Sequence, residues 1–506
     1  MSTTRSTIGD LIRRSARRHP ARIGLHFGDR HWTYRALDEA SDRIARALLD
    51  SGLVKGDRVA AYGKNSDAYL LLWLATTKAG LVHVPVNYAL IGTELAYIVE
   101  QSGARAVFAD VALQANVVAA GVKALVHGTL HGGDDAALDV LAVANGTDVV
   151  VFDADVDDTD IAQILYTSGT TAAPKGAVLS HKALVHHYAS AALATDLTSS
   201  ERQLHALPLY HSAQMHVFLM PGLMLGTTSW LLAAPDPERV LDVMQLERID
   251  SFFAPPTVWI ALLAKLEKDV GRATTLKKAC YGASIMPVPI LHQLRALLPQ
   301  IGFFNCFGQS EIGPLATVLR PEEHDARPAS AGRAIAFVDL RVVDDDMNDV
   351  AVGGIGEVVY RSPQLCDGYW NKPEETAAAF AGGWFHSGDL ASIDDEGFIT
   401  IVDRKKDVIK TGGIQVASRE VEEAIFTHVA VREVAVIPLP DPRWIEAVVA
   451  VVAVKEGHDV DEAAIIEHAK KTLSPFKVPK RVVFVSSLPR NASGKILKRE
   501  LRDTFG

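Results

Sequence analysis

The stretch YTSGTTAAPKGAVLSH, Tyr166–His181, packs six hydroxyl side chains around two glycines, one proline and one lysine. Ala162–Tyr166 leads into it as a short apolar run with strand character, and Gly176–Ser180 resumes a strand on the far side. Ser180 then stands where a helix N-cap belongs, ahead of a helical pattern reaching about Ala194. The segment reads as strand, polar loop, strand, helix. Backbone N–H groups of a glycine-containing loop can cradle phosphate, and hydroxyls and a lysine add donors and charge. Pro174 is expected to stiffen the exit and Gly169 to loosen the tip.

The alternation continues outward. Arg58–Tyr62, Val82–Val86 and Ala106–Ala109 read as strands, and Ser66–Ala79 and Gly92–Gln101 as helices between them. This rhythm predicts a largely parallel sheet with covering helices. Asp153–Asp160 is an acidic linker before the opening loop. Further on, Phe337–Val343 and Gly356–Arg361 read as strands of an antiparallel unit, and Asp389–Asp395 and Phe398–Asp403 as a hairpin around Glu396-Gly397. Asp403–Asp407 is a charge-dense joint. After it comes a fresh α+β pattern: helix Ser418–Thr427, strands Val431–Pro438 and Ala447–Val454, helix Glu462–Leu473 and strand Arg481–Ser486.

A chain of 506 residues exceeds one ordinary core, so two to four domains are expected. With 48% apolar and 22% charged residues it is globular, and a net charge of -10 argues against nucleic acid as a partner. From Arg404 onward 18 basic residues face 14 acidic ones, a net of +4, which leaves -14 on the rest. Lys470–Arg502 holds ten basic residues and one acidic one, which reads either as a solvated face or as a cap for a phosphate-rich ligand. Cys280, Cys306 and Cys366 have neither paired nor metal-like spacing, so a reducing, cytoplasmic setting without disulfides is expected. The N-terminus lacks the apolar segment of a signal peptide. Met215–Ala234 comes nearest to a membrane span, but Pro221, Gly222 and Gly226 interrupt it, and no transmembrane segment is expected.

Familiar phosphate motifs do not fit the opening loop. A P-loop needs glycine before its lysine and Ser or Thr after it, whereas Lys175 follows Pro174 and precedes Gly176. Gly354-Ile-Gly356 lacks the third glycine of a dinucleotide fingerprint. Gly308-Gln-Ser310-Glu-Ile-Gly313 is one residue too long for a hydrolase elbow. Instead, Tyr166–Gly176 resembles the signature loop of the adenylate-forming (ANL) superfamily of acyl-CoA synthetases, luciferases and peptide-synthetase adenylation domains. Phe307-Gly-Gln-Ser-Glu311 resembles that family's aromatic-Gly-x-Thr-Glu motif. Trp384-Phe-His-Ser-Gly-Asp389 is similar to its W-x-x-T/S-G-D element, Asp403-Arg-Lys-Lys-Asp407 to its hinge, and Asn491-Ala-Ser-Gly-Lys495 to its C-terminal lysine motif. The five occur in family order over nearly the whole chain.

The resemblance implies an α/β fold. A large N-terminal domain of α/β subdomains plus a distorted antiparallel barrel would span 1–403, a hinge 404–406, and a small mobile α+β domain 407–506. It implies an AMP-forming acid ligase in which ATP and a carboxylic acid give an acyl-adenylate and pyrophosphate, and an acceptor then displaces AMP. Thr167, Ser168, Gly169, Thr170, Thr171 and Lys175 would grip the β- and γ-phosphates, and Ser310 would contact the α-phosphate. Glu311 would hold Mg2+, as a carboxylate suits a hard cation bridging phosphates. Gly282, Ala283 and Ser284, with Asn305, Phe307, Gly308 and Gln309, would surround adenine, Phe307 stacking on it. Asp389 and Arg404 would hold the ribose. Lys495 would bridge the α-phosphate and the attacking carboxylate, Lys406 would be the hinge, and Gly412 and Gly413 would line the acceptor's tunnel. His211 would gate and pack against the acid.

The acid pocket would involve His211, Gln214, Met215, Trp259, Gly282 and Gly308. The segments 211–217, 257–261, 281–284 and 308–314 contain no Lys or Arg. A dicarboxylate would need a second cation there, so an apolar fatty or aryl acid is expected. The acceptor is expected to be coenzyme A. Gly412-Gly-Ile-Gln-Val-Ala-Ser418 departs from the commoner G-G-E-N-V-x-P, however, which leaves room for an amide-bond synthetase that uses an amine. A luciferase-type oxygenase would share every motif named. A monomer or homodimer is expected.

Ala172 stands where the family usually has glycine. If that position needs positive φ, alanine costs about 1 kcal/mol, and otherwise it stiffens the loop; no hydroxyl or charge is lost either way. A slower or tighter pyrophosphate step is therefore expected, and Ala172→Gly should change the kinetics of pyrophosphate–ATP exchange. Identical kinetics would mark the alanine as silent.

Overall fold

The computed structural model describes residues 5–133, 138–150, 152–167, 173–412, 414–490 and 496–506. A six-stranded sheet runs in the order Val126–Thr129, Ala104–Ala109, Arg58–Tyr62, Val82–Val86, Ile161–Thr167, Lys175–Ser180. Its first five strands are parallel and the last is antiparallel, so the sheet is nearly the one the alternation predicts. Parallel strands are covered on both faces, and Val82–Val86 is accordingly buried at every position. Helix Asp67–Ala79 covers this sheet and is itself buried at all 13 positions, as befits a helix apolar all round. The Ser66 side chain caps its start, and Gly80 ends it at φ 69°.

A nine-stranded sheet forms the second layer. Its strands run in the order Arg333–Ala334, Leu315–Leu319, Gly302–Gly308, Lys278–Gly282, Ser251–Ala254, Arg202–His205, Thr228–Leu231, Ile23–Phe27, Arg30–Thr33. Next comes an antiparallel meander of Asp339–Val343, Ile355–Arg361, Phe385–Ile393 and Ile399–Arg404. It occupies the place of the expected barrel, and a bridge between Gly332 and Ile399 ties it to the large sheet. Beyond the joint, Ile409–Thr411, Ile414–Val416, Val431–Asp441, Ile445–Val454 and Arg481–Val485 form a small sheet with its own apolar core. The helix read as Glu462–Leu473 ends at Lys470, and the strand read as Phe337–Val343 starts at Asp339. Met215–Ala234 is broken into a π-helical turn, a short helix ending at Gly226 and a strand. Among the described residues no helix is long and apolar enough to cross a membrane.

The strands and the helix flanking the opening loop fold as read. Ile161–Thr167 and Lys175–Ser180 pair as a hairpin whose last rung is Thr167 opposite Lys175. The Ser180 hydroxyl accepts from the Ala183 N–H at 3.2 Å and starts helix His181–Ala194. Gly176 is required here, because a Cβ would stand 2.5 Å from the Ile164 side chain and 3.2 Å from the Tyr166 ring.

The interior holds several histidines as neutral groups. Burial lowers His83, His187 and His205 to about 3 and His181 to about 4. In the unfolded chain these imidazoles titrate near 6.5. Below that pH the unfolded state binds protons that the folded state refuses, so stability is complete above about pH 6.5 and drains away as pH falls toward about 4. The thermal midpoint should drop by more than one ionisation explains between pH 7 and pH 5. A flat midpoint across that range would contradict this account.

Candidate active site

The hairpin delivers Thr167 and Lys175 to one edge of a junction whose centre is Glu311. Glu311 follows strand Gly302–Gly308 on the short turn Ser310–Ile312 and is only 8% exposed. Its Oε1 accepts from the Tyr369 hydroxyl at 3.1 Å and, more weakly, from Thr167 Oγ1 at 3.4 Å. The Lys175 ammonium lies 5.1 Å from the Tyr369 ring centroid, so the tyrosine stands between a cation and an anion. Tyr369 is placed by backbone pairing along Lys175–Ser180. Asp367 N–H donates to Val178 O, Val178 N–H to Gly368 O, and Trp370 N–H to Gly176 O, at 2.8 to 2.9 Å. Burial raises the Glu311 carboxyl pKa, while these hydroxyls and the nearby Arg404 charge oppose the rise.

On the other side, strand Lys278–Gly282 ends where a Cβ on Gly282 would sit 2.1 Å from the Cys306 carbonyl. The chain then turns through Ala283 at φ 62°, an unusual conformation for alanine, into half-buried Ser284. Gly308 is equally confined, 2.0 Å from the Pro314 carbonyl for an added Cβ. Asn305 donates to Ser330 O at 2.8 Å, and Phe307 is half-buried two residues along the same strand. The Ser310 hydroxyl meets that of Ser212 at 3.0 Å, which joins this strand end to the Tyr210–His211 segment.

His211 packs against Tyr210 with ring centroids 4.7 Å apart, and burial holds it at about 4, so it is neutral near pH 7. Its Nε2 and the Nε2 of Gln309 are buried with no hydrogen-bond partner among the described residues. Gln214, Met215 and Trp259 are committed elsewhere. Gln214 bonds His205 at 2.7 Å and accepts from the Leu207 N–H. Trp259 donates to Cys280 O at 3.1 Å inside an apolar cluster, and Met215 is 1% exposed in another. All three are buried.

Asp389 and Arg404 face each other across adjacent strands, with Arg404 Nε 3.0 Å from Asp389 Oδ1. Asp389 is buried and Arg404 half-buried. Lys406, two residues on, is lowered to about 8 by burial first and the Arg404 charge second. Gly412 adopts φ 57°, donates its N–H to Trp444 O at 2.7 Å, and would push a Cβ to 3.1 Å from the Trp444 ring. Ser168, Gly169, Thr170, Thr171, Ala172, Gly413 and Lys495 lie outside the described residues.

The donor set suits a hard cation shared with phosphate. Among the described residues no group of three or more His, Cys, Asp or Glu can hold a metal alone. A single carboxylate flanked by hydroxyls, with the remaining ligands from substrate phosphates and water, is how Mg2+ is usually held. Tyr369 is the residue that motif reading missed. Its signal was the run Gly368-Tyr-Trp, an aromatic pair beside a glycine, in the stretch between the Phe307–Glu311 and Trp384–Asp389 motifs.

Three comparisons bear on the site. The chain matches the AMP-binding enzyme family over residues 12–370 and the AMP-binding enzyme C-terminal domain over 420–495. It is 36% identical over 499 residues to a feruloyl-CoA synthase of an Amycolatopsis species, covering 99% of both chains. It is 34% identical over 481 residues to a long-chain-fatty-acid–CoA ligase of Mycobacterium tuberculosis, covering 94% of both. ATP-bound MatB of Rhodopseudomonas palustris superposes with a TM-score of 0.91 at 30% identity, and apo MatB with 0.80 at the same identity, each covering 99% of both chains.

Removing the Tyr369 hydroxyl deletes a hydrogen bond that favours the ionised Glu311. Tyr369→Phe should raise the Mg2+ concentration needed for half-maximal pyrophosphate–ATP exchange by about tenfold. It should also move the acid limb of the pH profile upward, since the carboxylate then ionises only at higher pH. An unchanged Mg2+ requirement and acid limb would show that the hydroxyl does not act through Glu311.

Proposed function

The chain belongs to the AMP-binding enzyme family, and from that premise we propose that it activates an apolar carboxylic acid, aryl or fatty, with ATP and passes the acyl group to coenzyme A. The observation that carries the reading is the Glu311 junction. The hairpin ends Thr167 and Lys175, the turn at Glu311 and the run at Tyr369, three segments far apart in the chain, meet around one buried carboxylate.

In the first step a substrate carboxylate oxygen attacks the α-phosphorus of ATP, the bond to the bridging oxygen breaks, and pyrophosphate departs with the electron pair. Thr167 and Lys175, with residues 168–171, hold the β- and γ-phosphates, and Ser310 holds the α-phosphate. Asp389 accepts from the ribose hydroxyls while Arg404 fixes the carboxylate. Gly282–Ser284, Asn305 and Phe307 bound the base, with Gly308 and Gln309 beside it. Mg2+, when bound, neutralises phosphate charge, and Glu311 is its protein ligand. Neutral His211 packs against the acid and excludes water without competing for the carboxylate's charge. Lys495 brings one positive charge to the oxygens that meet in the transition state.

In the second step the thiolate sulfur of coenzyme A attacks the acyl carbon and AMP leaves with the electron pair. Residues 404–406 form the hinge, and Lys406 is the pivot about which residues 407–506 turn between steps. That turn withdraws Lys495 and presents Gly412 and Gly413 beside the acceptor. The absence of Lys and Arg from the pocket segments supports an uncharged acid tail, and the names of the two relatives above supply its two forms.

Purified protein should catalyse pyrophosphate–ATP exchange that depends on one or more of a panel of aryl and fatty acids, and mass spectrometry should find the acyl-CoA. No exchange with any acid would sink the ligase reading, and an acyl-amide formed from simple amines without coenzyme A would replace the acceptor. Lys495→Ala should reduce exchange by about a thousandfold or more, in line with loss of a transition-state charge contact, and largely spare transfer from preformed adenylate.

A further inference from the structure

Helix Ser418–Phe426 begins without a cap of its own, because Ala417 at the N-cap has no side chain to offer. The first N–H groups of a helix need partners, and a carboxylate is the favoured one. Asp403 supplies it. Its Oδ2 accepts the Ser418 N–H at 2.5 Å and its Oδ1 accepts the Arg404 N–H at 2.7 Å. Asp403 is 7% exposed and ends the antiparallel meander before the joint, whereas the helix belongs to the body after it. The cap therefore spans the two bodies. Arg419, also buried, adds a second crossing by donating to the Ile401 carbonyl.

The same spot anchors the helix that follows Lys495. Lys498 Nζ donates to Ser418 Oγ at 2.6 Å and pairs with Glu422 at 2.8 Å, and Arg502 pairs with Asp407 at 3.0 Å. On the meander side, the residue after Asp403 is Arg404, already paired with Asp389. The cap and the ribose clamp are thus consecutive residues of one strand. Ser418 also occupies the position at which the commoner G-G-E-N-V-x-P pattern has proline, a residue with no N–H to give.

We propose that Asp403 is a positioning residue, an inter-domain helix cap that holds the C-terminal body in the arrangement seen here and so sets the balance between the two half-reactions. The inference rests on the two-orientation reading above. The chain superposes on ATP-bound MatB with a TM-score of 0.91 and on apo MatB with 0.80, and on that likeness the arrangement seen here is taken as the one that serves adenylation.

Four variants separate the cap from general stability. Asp403→Ala removes the acceptor. Ser418→Pro removes only the donor N–H and the hydroxyl, at a first helical position that tolerates proline, after an Ala417 already extended at φ -71°, ψ 119°. Each should lower the ratio of pyrophosphate–ATP exchange to acyl transfer from preformed adenylate by about tenfold, the value of one charge-assisted hydrogen bond. Asp403→Asn keeps an acceptor oxygen and should fall between. Ser418→Ala keeps the N–H and loses only the hydroxyl that accepts from Lys498, so it should keep most of the parent ratio and measures that contact apart from the cap. Equal loss of both half-reactions in Asp403→Ala and Ser418→Pro, or no change in either, would overturn the proposal.

A readout free of chemistry accompanies these. Spin labels at the exposed positions Leu246→Cys and Val429→Cys report the distance between the bodies, since Cys280, Cys306 and Cys366 are buried. Asp403→Ala should broaden that distance distribution, and an unchanged distribution overturns the cap whatever the activities do. Broadening in a protein whose parent shows no exchange with any acid would sink the ligase reading and leave the cap standing.

Discussion

Burying a carboxylate away from water is costly unless something nearby favours its charge. Glu311 is such a group, and much of the site is the means of bearing that cost. A tyrosine hydroxyl donates to it, a threonine hydroxyl lies just within reach, and a guanidinium acts from further off; each comes from a different part of the chain. The carboxylate is thus a lock on register. If the hairpin slips by one residue, Thr167 faces the other way. If the 367–370 run detaches from Lys175–Ser180, Tyr369 leaves.

What could be read from the chain followed from how local each signal was. The strands around Tyr166–His181, the Ser180 cap and helix 67–79 are dictated by β-branched runs and capping residues within a few positions. Asp389 and Arg404 were legible as separate motif residues, yet their pairing at 3.0 Å needed the meander. Tyr369 carried only the weak signal of an aromatic pair beside a glycine, because its role comes from lying beside Lys175–Ser180, nearly two hundred residues earlier. Gln214 and Trp259 were legible as residues near a motif, while their partners, His205 and the Cys280 carbonyl, appear only once the strands are in place.

The joint between the two bodies is built from charge, while each body has an apolar core of its own. Ionic and helix-cap contacts cost little to break in water, since solvent replaces them, whereas an apolar seam of the same size would have to be exposed. The excess of positive charge beyond Arg404 and of negative charge before it adds a weak, long-range attraction that holds the bodies near one another without prescribing one orientation. Specific contacts such as that between Asp403 and the Ser418 N–H fix the arrangement seen here.

The hairpin that carries the opening stretch has one further consequence. Its final rung, Thr167 opposite Lys175, fixes both ends of the segment between them by pairing that owes nothing to the residues inside. The hairpin is thus closed by its own backbone, and a change of residue between its ends, such as alanine at position 172 in place of the usual glycine, leaves the Thr167–Lys175 rung its partner.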